Sequence, residues 1–113
     1  MIYEIRDYHY RRDIFADYVQ WAEIAVVVLR DKLDVVGFWI DEGEYPAEVA
    51  GSDPQTSSIG SANVTWIIRW ESKSQRDELL KTAFTGDAWD AVMAKHPDPK
   101  GYLQMVSRFM QDM

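Results

Sequence analysis

Three side chains that could do chemistry alternate along the first predicted strand, Ile2 to Tyr10. Glu4, Arg6 and Tyr8 lie two residues apart, so a strand places them on one face. A guanidinium in a cavity can hold a carboxylate or an enolate, and a nearby phenol can donate or relay a proton. We therefore predict Arg6 and Tyr8 as catalytic residues and Glu4 as a substrate-binding residue. The alternative is a structural Glu–Arg pair with Tyr8 in the core.

Two tryptophans on later predicted strands suit an aromatic ligand. Trp39 belongs to the strand Val35 to Asp41, and Trp66 belongs to the strand Asn63 to Glu71. Indole rings give an apolar surface on which another ring can stack. We predict that Trp39 and Trp66 are substrate-binding residues that form one wall. The alternative is that both belong to a dimer core.

The two histidines give no metal or triad pattern. His9 has no visible orienting partner and fits the rim of a site, and His96 precedes Pro97 at a helix end, where a positive charge complements the helix dipole. The chain has no cysteine, its six glycines are scattered singly, and the acidic run at Asp41 lacks the spacing of a calcium loop. We expect no metal and no cofactor.

Composition restricts the partners. The formal charge of −7 and the pI near 4.7 argue against nucleic acid or an anionic membrane surface as a partner. The longest apolar run, Ile24 to Leu29, is too short to span a bilayer, and the first residues do not form a secretory signal. We expect a cytoplasmic protein without a membrane partner.

The order of predicted elements is strand, helix, strand, strand, helix, strand. The first helix is expected from an N-cap at Asp13 to about Lys32, and the second from an N-cap at Ser74, with a break at Gly86. A long irregular segment covers 42–62, and the last strand covers Tyr102 to Met110. This order predicts one α+β domain over 1–113, with a ferredoxin-like βαββαβ fold and a four-stranded antiparallel sheet.

Both faces of the predicted sheet are apolar, but two helices can cover only one of them. The uncovered face would expose a patch drawn from Trp39, Trp66, Ile68 and Trp70, which is more than a monomer usually tolerates. We therefore predict a homodimer in which two sheets pack face to face. We expect the face with Glu4, Arg6 and Tyr8 to line the barrel between the sheets, because Tyr3 and Ile5 suit the helix side better.

Several short motifs resemble the NIPSNAP family. These are the opening IYEIRDY of residues 2–8, Gly37-Phe38-Trp39, Arg69-Trp70-Glu71-Ser72 followed by Arg76, and Asp87-Ala88-Trp89. The resemblance covers the chain apart from 42–62 and implies a ferredoxin-like protomer that pairs into a dimeric α/β barrel. Relatives often carry His where this chain has Trp66, so chemistry that depends on that His is not expected here.

The function implied by the residues and the resemblance is small-molecule binding. We predict a homodimer that binds a largely apolar or aromatic compound in the barrel cavity. It could act as a cofactor-independent enzyme for proton transfer, isomerisation or cofactor-free oxidation. The alternative is a non-catalytic dimeric binding or interaction module. A cavity that holds Arg6 and Tyr8 favours the first hypothesis, and an interior filled with side chains favours the second.

Overall fold

The computed structural model describes all 113 residues and contains four strands and three helices. The elements are β1 (Ile2–Tyr10), α1 (Phe15–Lys32), β2 (Val35–Ile40), β3 (Val64–Trp70), α2 (Lys73–Ala83), α3 (Asp87–Met93) and β4 (Tyr102–Gln111). A single 3₁₀ turn, Arg12–Ile14, precedes α1. None of the helices is long and apolar enough to cross a membrane.

The four strands form one antiparallel sheet in the order β2-β3-β1-β4. The predicted α+β, ferredoxin-like fold is therefore confirmed, with β1 and β3 in the centre. The register between these strands places Arg6 opposite Trp66 and Glu4 opposite Ile68. Opposite residues in an antiparallel pair point to the same face, so these four side chains lie together.

Two helix starts differ from those predicted. Asp13 lies inside the 3₁₀ turn, where its carboxylate pairs with the Arg11 guanidinium at 2.6 Å, and it caps nothing. The N-cap of α2 is Ser72, whose Oγ accepts a hydrogen bond from the Gln75 amide at 3.1 Å. Ser74 is therefore a first-turn residue. Ser72 and Gln75 have the spacing of a capping box, a stronger pattern than Ser74 with Asp77.

The break at Gly86 is confirmed. α2 ends at Ala83 and α3 begins at Asp87, while Gly86 between them has φ +96° and ψ 165°. That backbone region is open almost only to glycine, because a Cβ would clash there. The Lys32 ammonium donates a hydrogen bond to the Thr85 carbonyl at 2.5 Å and so ties the end of α1 to this junction.

All three helices cover the same face of the sheet. The buried side chains of this layer are Tyr8, Tyr10, Tyr18, Trp21, Ala22, Ala25, Leu29, Val64, Trp66, Ile68, Trp70 and Val92. The expectation that Trp66, Ile68 and Trp70 face outwards is wrong. Trp39 pairs with Thr65 on the opposite face and remains 51% exposed.

The segment between β2 and β3 contains no helix or strand, as predicted for 42–62. It rejoins the sheet at Asn63, which is buried. The side-chain amide of Asn63 forms hydrogen bonds with both the N–H and the C=O of Tyr10. Asn63 Oδ1 accepts from the Tyr10 amide at 2.9 Å, and Nδ2 donates to the Tyr10 carbonyl at 2.8 Å. The side chain thus extends the ladder between β1 and β3 by one pair.

Candidate functional site

A cavity of about 260 Å³ lies between the sheet and the helices. Twelve of its 13 lining residues are hydrophobic, and Arg6 is the one charged group among them. The lining consists of Arg6, Tyr8, Tyr18, Trp21, Ala25, Leu29, Phe38, Trp66, Phe84, Trp89, Met93, Tyr102 and Met105. All four strands supply one wall, and α1, α3 and the α2–α3 junction supply the other. An apolar cavity with a few converging polar groups is the usual form of a small-molecule site.

Arg6 is fixed at the sheet side of this cavity. Its Nη1 donates to Glu4 Oε2 at 2.8 Å, and its Nε donates to Tyr8 Oη at 2.8 Å. The guanidinium carbon also lies 5.4 Å from the Trp66 ring centroid and 5.7 Å from that of Tyr8. These contacts order a long side chain, so the charge is in place before any ligand arrives.

Glu4 balances two arginines behind the cavity. The carboxylate is fully buried and also accepts hydrogen bonds from Arg76 Nη2 at 2.9 Å, Arg76 Nε at 3.1 Å and Trp70 Nε1 at 3.1 Å. Burial alone would raise the pKa of Glu4, but the hydrogen bond from Arg76 and the charge of Arg6 outweigh it and lower the pKa. Glu4 is therefore ionised, and one negative charge faces two positive ones.

Tyr102 and His96 form a second polar contact at the cavity wall. The ring nitrogen His96 Nε2 lies 2.9 Å from Tyr102 Oη, while His96 Nδ1 accepts the Asp98 amide at 3.0 Å. A neutral imidazole has one protonated nitrogen, so the Asp98 contact assigns the proton to Nε2. Burial lowers the pKa of His96 despite the nearby Asp98 charge. His96 is thus neutral, and the predicted role of a positive charge at a helix end is wrong.

The structure brings together three of the five predicted site residues in one cavity. Arg6, Tyr8 and Trp66 line it, and Glu4 lies directly behind Arg6. Trp39 lies on the other face of the sheet, so the prediction that Trp39 and Trp66 form one wall is wrong. The cavity also lies within one protomer, under its own helices. The expectation that the Glu4, Arg6 and Tyr8 face lines a barrel between two sheets is therefore wrong as well.

Sequence reasoning missed the helix side of the cavity. Tyr18 and Trp21 lie in the predicted first helix, Trp89 lies in one of the NIPSNAP-like motifs, and Tyr102 begins the last predicted strand, but their spacing does not mark them as site residues. The one available signal was the number of aromatic residues, 15 of 113, concentrated in α1, α3 and the strands. Aromatic richness indicates a large interior surface but not which rings surround a void.

His9 lies on the open face of the sheet, because its neighbours Tyr8 and Tyr10 point to the helices. Its Nδ1 is buried and has no hydrogen-bond partner. It takes no part in the cavity.

A second groove of about 470 Å³ lies at the sheet edge, beneath the irregular segment. Its lining includes Trp39, Tyr45 and Arg12 together with residues of the segment between β2 and β3. Only five of its 11 lining residues are hydrophobic. Tyr45 is 76% exposed, so this groove offers little burial to a ligand. The smaller cavity is the better candidate because its lining is almost entirely apolar and includes a few polar groups.

Known structures share this architecture. A NIPSNAP family protein of unknown function from Agrobacterium tumefaciens is 20% identical, with 97% of this chain and 86% of that chain covered and a TM-score of 0.67. A NIPSNAP domain protein from Burkholderia xenovorans is 11% identical, covering 100% and 95% of the two chains, with a TM-score of 0.69. The chain has the NIPSNAP fold. The resemblance seen in the sequence is thereby confirmed at the level of structure.

A further NIPSNAP family protein from A. tumefaciens is 14% identical, covering 99% of this chain and 85% of that chain, with a TM-score of 0.71. No protein-family model and no curated protein matches this sequence. Similarity at these identities describes the fold, so the function has to be argued from the cavity itself.

Proposed function

We propose that this NIPSNAP-like protein binds a small aromatic or largely apolar molecule with an acidic group in the cavity between its sheet and its helices. The observation that carries the proposal is the single guanidinium, Arg6, at the wall of an otherwise hydrophobic cavity of about 260 Å³. That volume is close to the lower end of the ~300–1,000 Å³ typical of ligand pockets, so the ligand is small.

The local charge supports an acidic ligand. Arg6 shares the Glu4 carboxylate with Arg76, which also pairs with Asp77 at 3.1 Å. Arg6 is the one charged group that lines the cavity, so a carboxylate or an enolate there would pair with its guanidinium. The ring of such a ligand would pack against Trp66, Trp89 and Phe84.

A catalytic role for the same site is the second candidate, and it is favoured by the 2.8 Å contact between Arg6 Nε and Tyr8 Oη. An arginine that holds an enolate oxygen beside a phenol suits proton transfer without a cofactor. The binding proposal does not depend on this step, because a ligand can be held by the same groups without turnover.

We also propose that the protein is a homodimer joined through the open face of its sheet. Trp39 and Met110 on this face are 51% and 47% exposed, and Val106 is 38% exposed. Ile5 and Ile67 lie opposite each other between them. β4 is an edge strand with ten residues, and an edge of that length is usually covered. Packing two such faces together would remove this apolar surface from water.

Isothermal titration calorimetry with 2-naphthoate, a bicyclic carboxylate, tests the binding proposal. We expect saturable binding at one site per protomer, and the Arg6→Gln variant should bind at least about tenfold more weakly because a charged hydrogen-bond donor is lost. Arg69→Gln is the matched control, because Arg69 lies on the open face and pairs there with Asp34. Equal weakening in both variants, or no binding by the unmodified protein, would refute the proposal.

A further inference from the structure

Two phenol oxygens at the cavity wall already accept a hydrogen bond from the protein. Tyr8 Oη accepts a hydrogen bond from Arg6, and Tyr102 Oη accepts one from His96 Nε2. A phenol oxygen that accepts in this way keeps its own proton for another partner. In each of these contacts the phenol O–H therefore stays free to donate a hydrogen bond to a ligand.

Tyr18 lies beside Tyr102 and leaves the number of available phenol protons sufficient for a ligand. The two ring centroids are 5.9 Å apart, and each phenol affects the pKa of the other. If one of the two hydroxyl groups donates to the other, the second keeps its proton, because Tyr102 Oη already accepts from His96. At least one phenolic proton of this pair is left for a ligand.

Trp66 contributes its ring to the cavity wall, but its indole N–H does not face the cavity. The residue lines the cavity and is 2% exposed, while Nε1 itself has almost no accessible surface and has no acceptor. Trp21 Nε1 already donates to the Val92 carbonyl at 2.8 Å. Neither indole N–H is therefore available to a ligand.

The one buried carboxylate offers no acceptor. Glu4 Oε1 accepts from Trp70 and Arg76, and Oε2 accepts from Arg6 and Arg76, so four donors use the four lone-pair positions. The carboxylate also lies behind Arg6 and is not part of the cavity lining. The polar lining thus offers the Arg6 guanidinium and phenol protons as donors.

We infer that the cavity selects ring compounds that carry several acceptor oxygens and few donors, with a hydroxyquinone or a cyclic 1,3-diketone enolate as the ligand class. The inference rests on the proposed binding site and specifies its ligand. A ligand with amino groups would place donor against donor and leave both unpaired, which strongly disfavours binding. A carbonyl-rich ring supplies acceptors for Arg6 and for the phenol protons.

Calorimetry with two bicyclic probes of similar size tests this inference. 1,4-Naphthoquinone carries two acceptors at the positions where 1,4-diaminonaphthalene carries two donors, and neither probe has a carboxylate. We expect the quinone to bind at least about tenfold more tightly. A diamine that binds as tightly as the quinone would overturn the inference, while binding of 2-naphthoate would leave the broader binding proposal standing. Failure of all three probes would overturn both.

A pair of tyrosine variants locates the effect. Tyr8→Phe removes a phenol proton at the cavity wall, so it should reduce the preference for the quinone over the diamine. Tyr3→Phe is the matched control, because the Tyr3 hydroxyl donates to Asp112 and does not line the cavity. An unchanged preference in Tyr8→Phe, or an equal loss in both variants, would contradict the role given to Tyr8.

Discussion

Glu4 is a buried carboxylate that pairs with two arginines. It is fully buried between two guanidinium groups and the Trp70 indole, so replacing it with Gln removes the only negative charge next to Arg6 and the inner face of Arg76. We expect Glu4→Gln to lower the free energy of unfolding by about 3–5 kcal/mol, as for other buried pairs that lose one partner. Urea denaturation followed by far-UV circular dichroism measures this loss.

The control for Glu4 is an ion pair at the surface. Glu78 and Lys81 on α2 lie 2.8 Å apart, with side chains that are 75% and 67% exposed. Exposed pairs contribute only about 0–1 kcal/mol, so Glu78→Gln should change stability little. Equal losses in the two variants would mean that Glu4 is not a buried charge.

The same carboxylate predicts acid sensitivity. The folded state lowers the pKa of Glu4, so its stabilisation is full above the ordinary value of 4.5 and is lost as the pH falls through the lower folded pKa. Stability of the unmodified protein should therefore decline below about pH 4.5, with a shallower decline in Glu4→Gln. Thermal melts across this range measure the difference, and parallel profiles for the two proteins would argue against the assignment.

His96 predicts a second pH effect at milder acidity. Its folded pKa lies below the ordinary value of 6.5 because of burial, so the unfolded chain takes up the proton more readily. Stability from this group is full above pH 6.5 and declines as the pH falls toward the folded pKa. His96→Gln, which cannot titrate but can still donate to Tyr102, should show a flatter profile between about pH 7 and pH 5. A steeper profile would contradict the neutral imidazole.

At the level of elements, the start of α2 gives a direct test of the observed cap. Ser72→Ala removes the oxygen that accepts the Gln75 amide, and loss of an N-cap costs about 1 kcal/mol. Ser74→Ala is the matched control, since Ser74 lies inside the first turn and its hydroxyl caps nothing. Chemical denaturation should rank Ser72→Ala as the less stable variant. The reverse order would restore Ser74 as the cap.

The elements themselves were largely predictable from sequence. Val64, Trp66, Ile68 and Trp70 alternate as a strand requires, and all four are buried on one face in the structure. Gly86 broke the helical pattern where the backbone needs a positive φ. These features depend on local spacing and local backbone chemistry, which a sequence displays directly.

The orientation of β1 was not predictable in the same way. From the sequence, two charged residues such as Glu4 and Arg6 are not expected under the helices. Glu4 can be buried there because it accepts hydrogen bonds from Arg76, which lies 72 positions away on α2. Nothing local to β1 reveals that partner. For the same reason Tyr102 could not be connected with His96 or with the cavity, since their contact depends on tertiary packing.

For the whole molecule, the two faces of the sheet have different roles. The helix side holds the cavity within one protomer, and the open side carries the apolar patch that we assign to a homodimer. Val106 lies on the open face and Val27 lies on α1, and both are exposed, at 38% and 69%. Val106→Asp should yield a monomer at micromolar concentration in sedimentation velocity, because a charge would be buried in the interface. Val27→Asp should remain a dimer.

A monomeric unmodified protein would contradict this assembly, and so would a dimeric Val106→Asp variant. Neither result would affect the cavity, because it lies on the helix side of the sheet and the proposed interface lies on the opposite face. Ligand binding and dimer formation are thus separable properties of this fold.

The most direct test of the central claim is where a ligand binds. The chain has five tryptophans, so their indole N–H signals in a two-dimensional ¹H–¹⁵N NMR spectrum report on both sheet faces at once. Single Trp→Phe variants assign the signals. On addition of 2-naphthoate, we predict that the signal of Trp66 in the cavity shifts and that the signal of Trp39 on the open face does not. A shift of Trp39 with Trp66 unchanged would place the ligand outside the cavity and contradict the account.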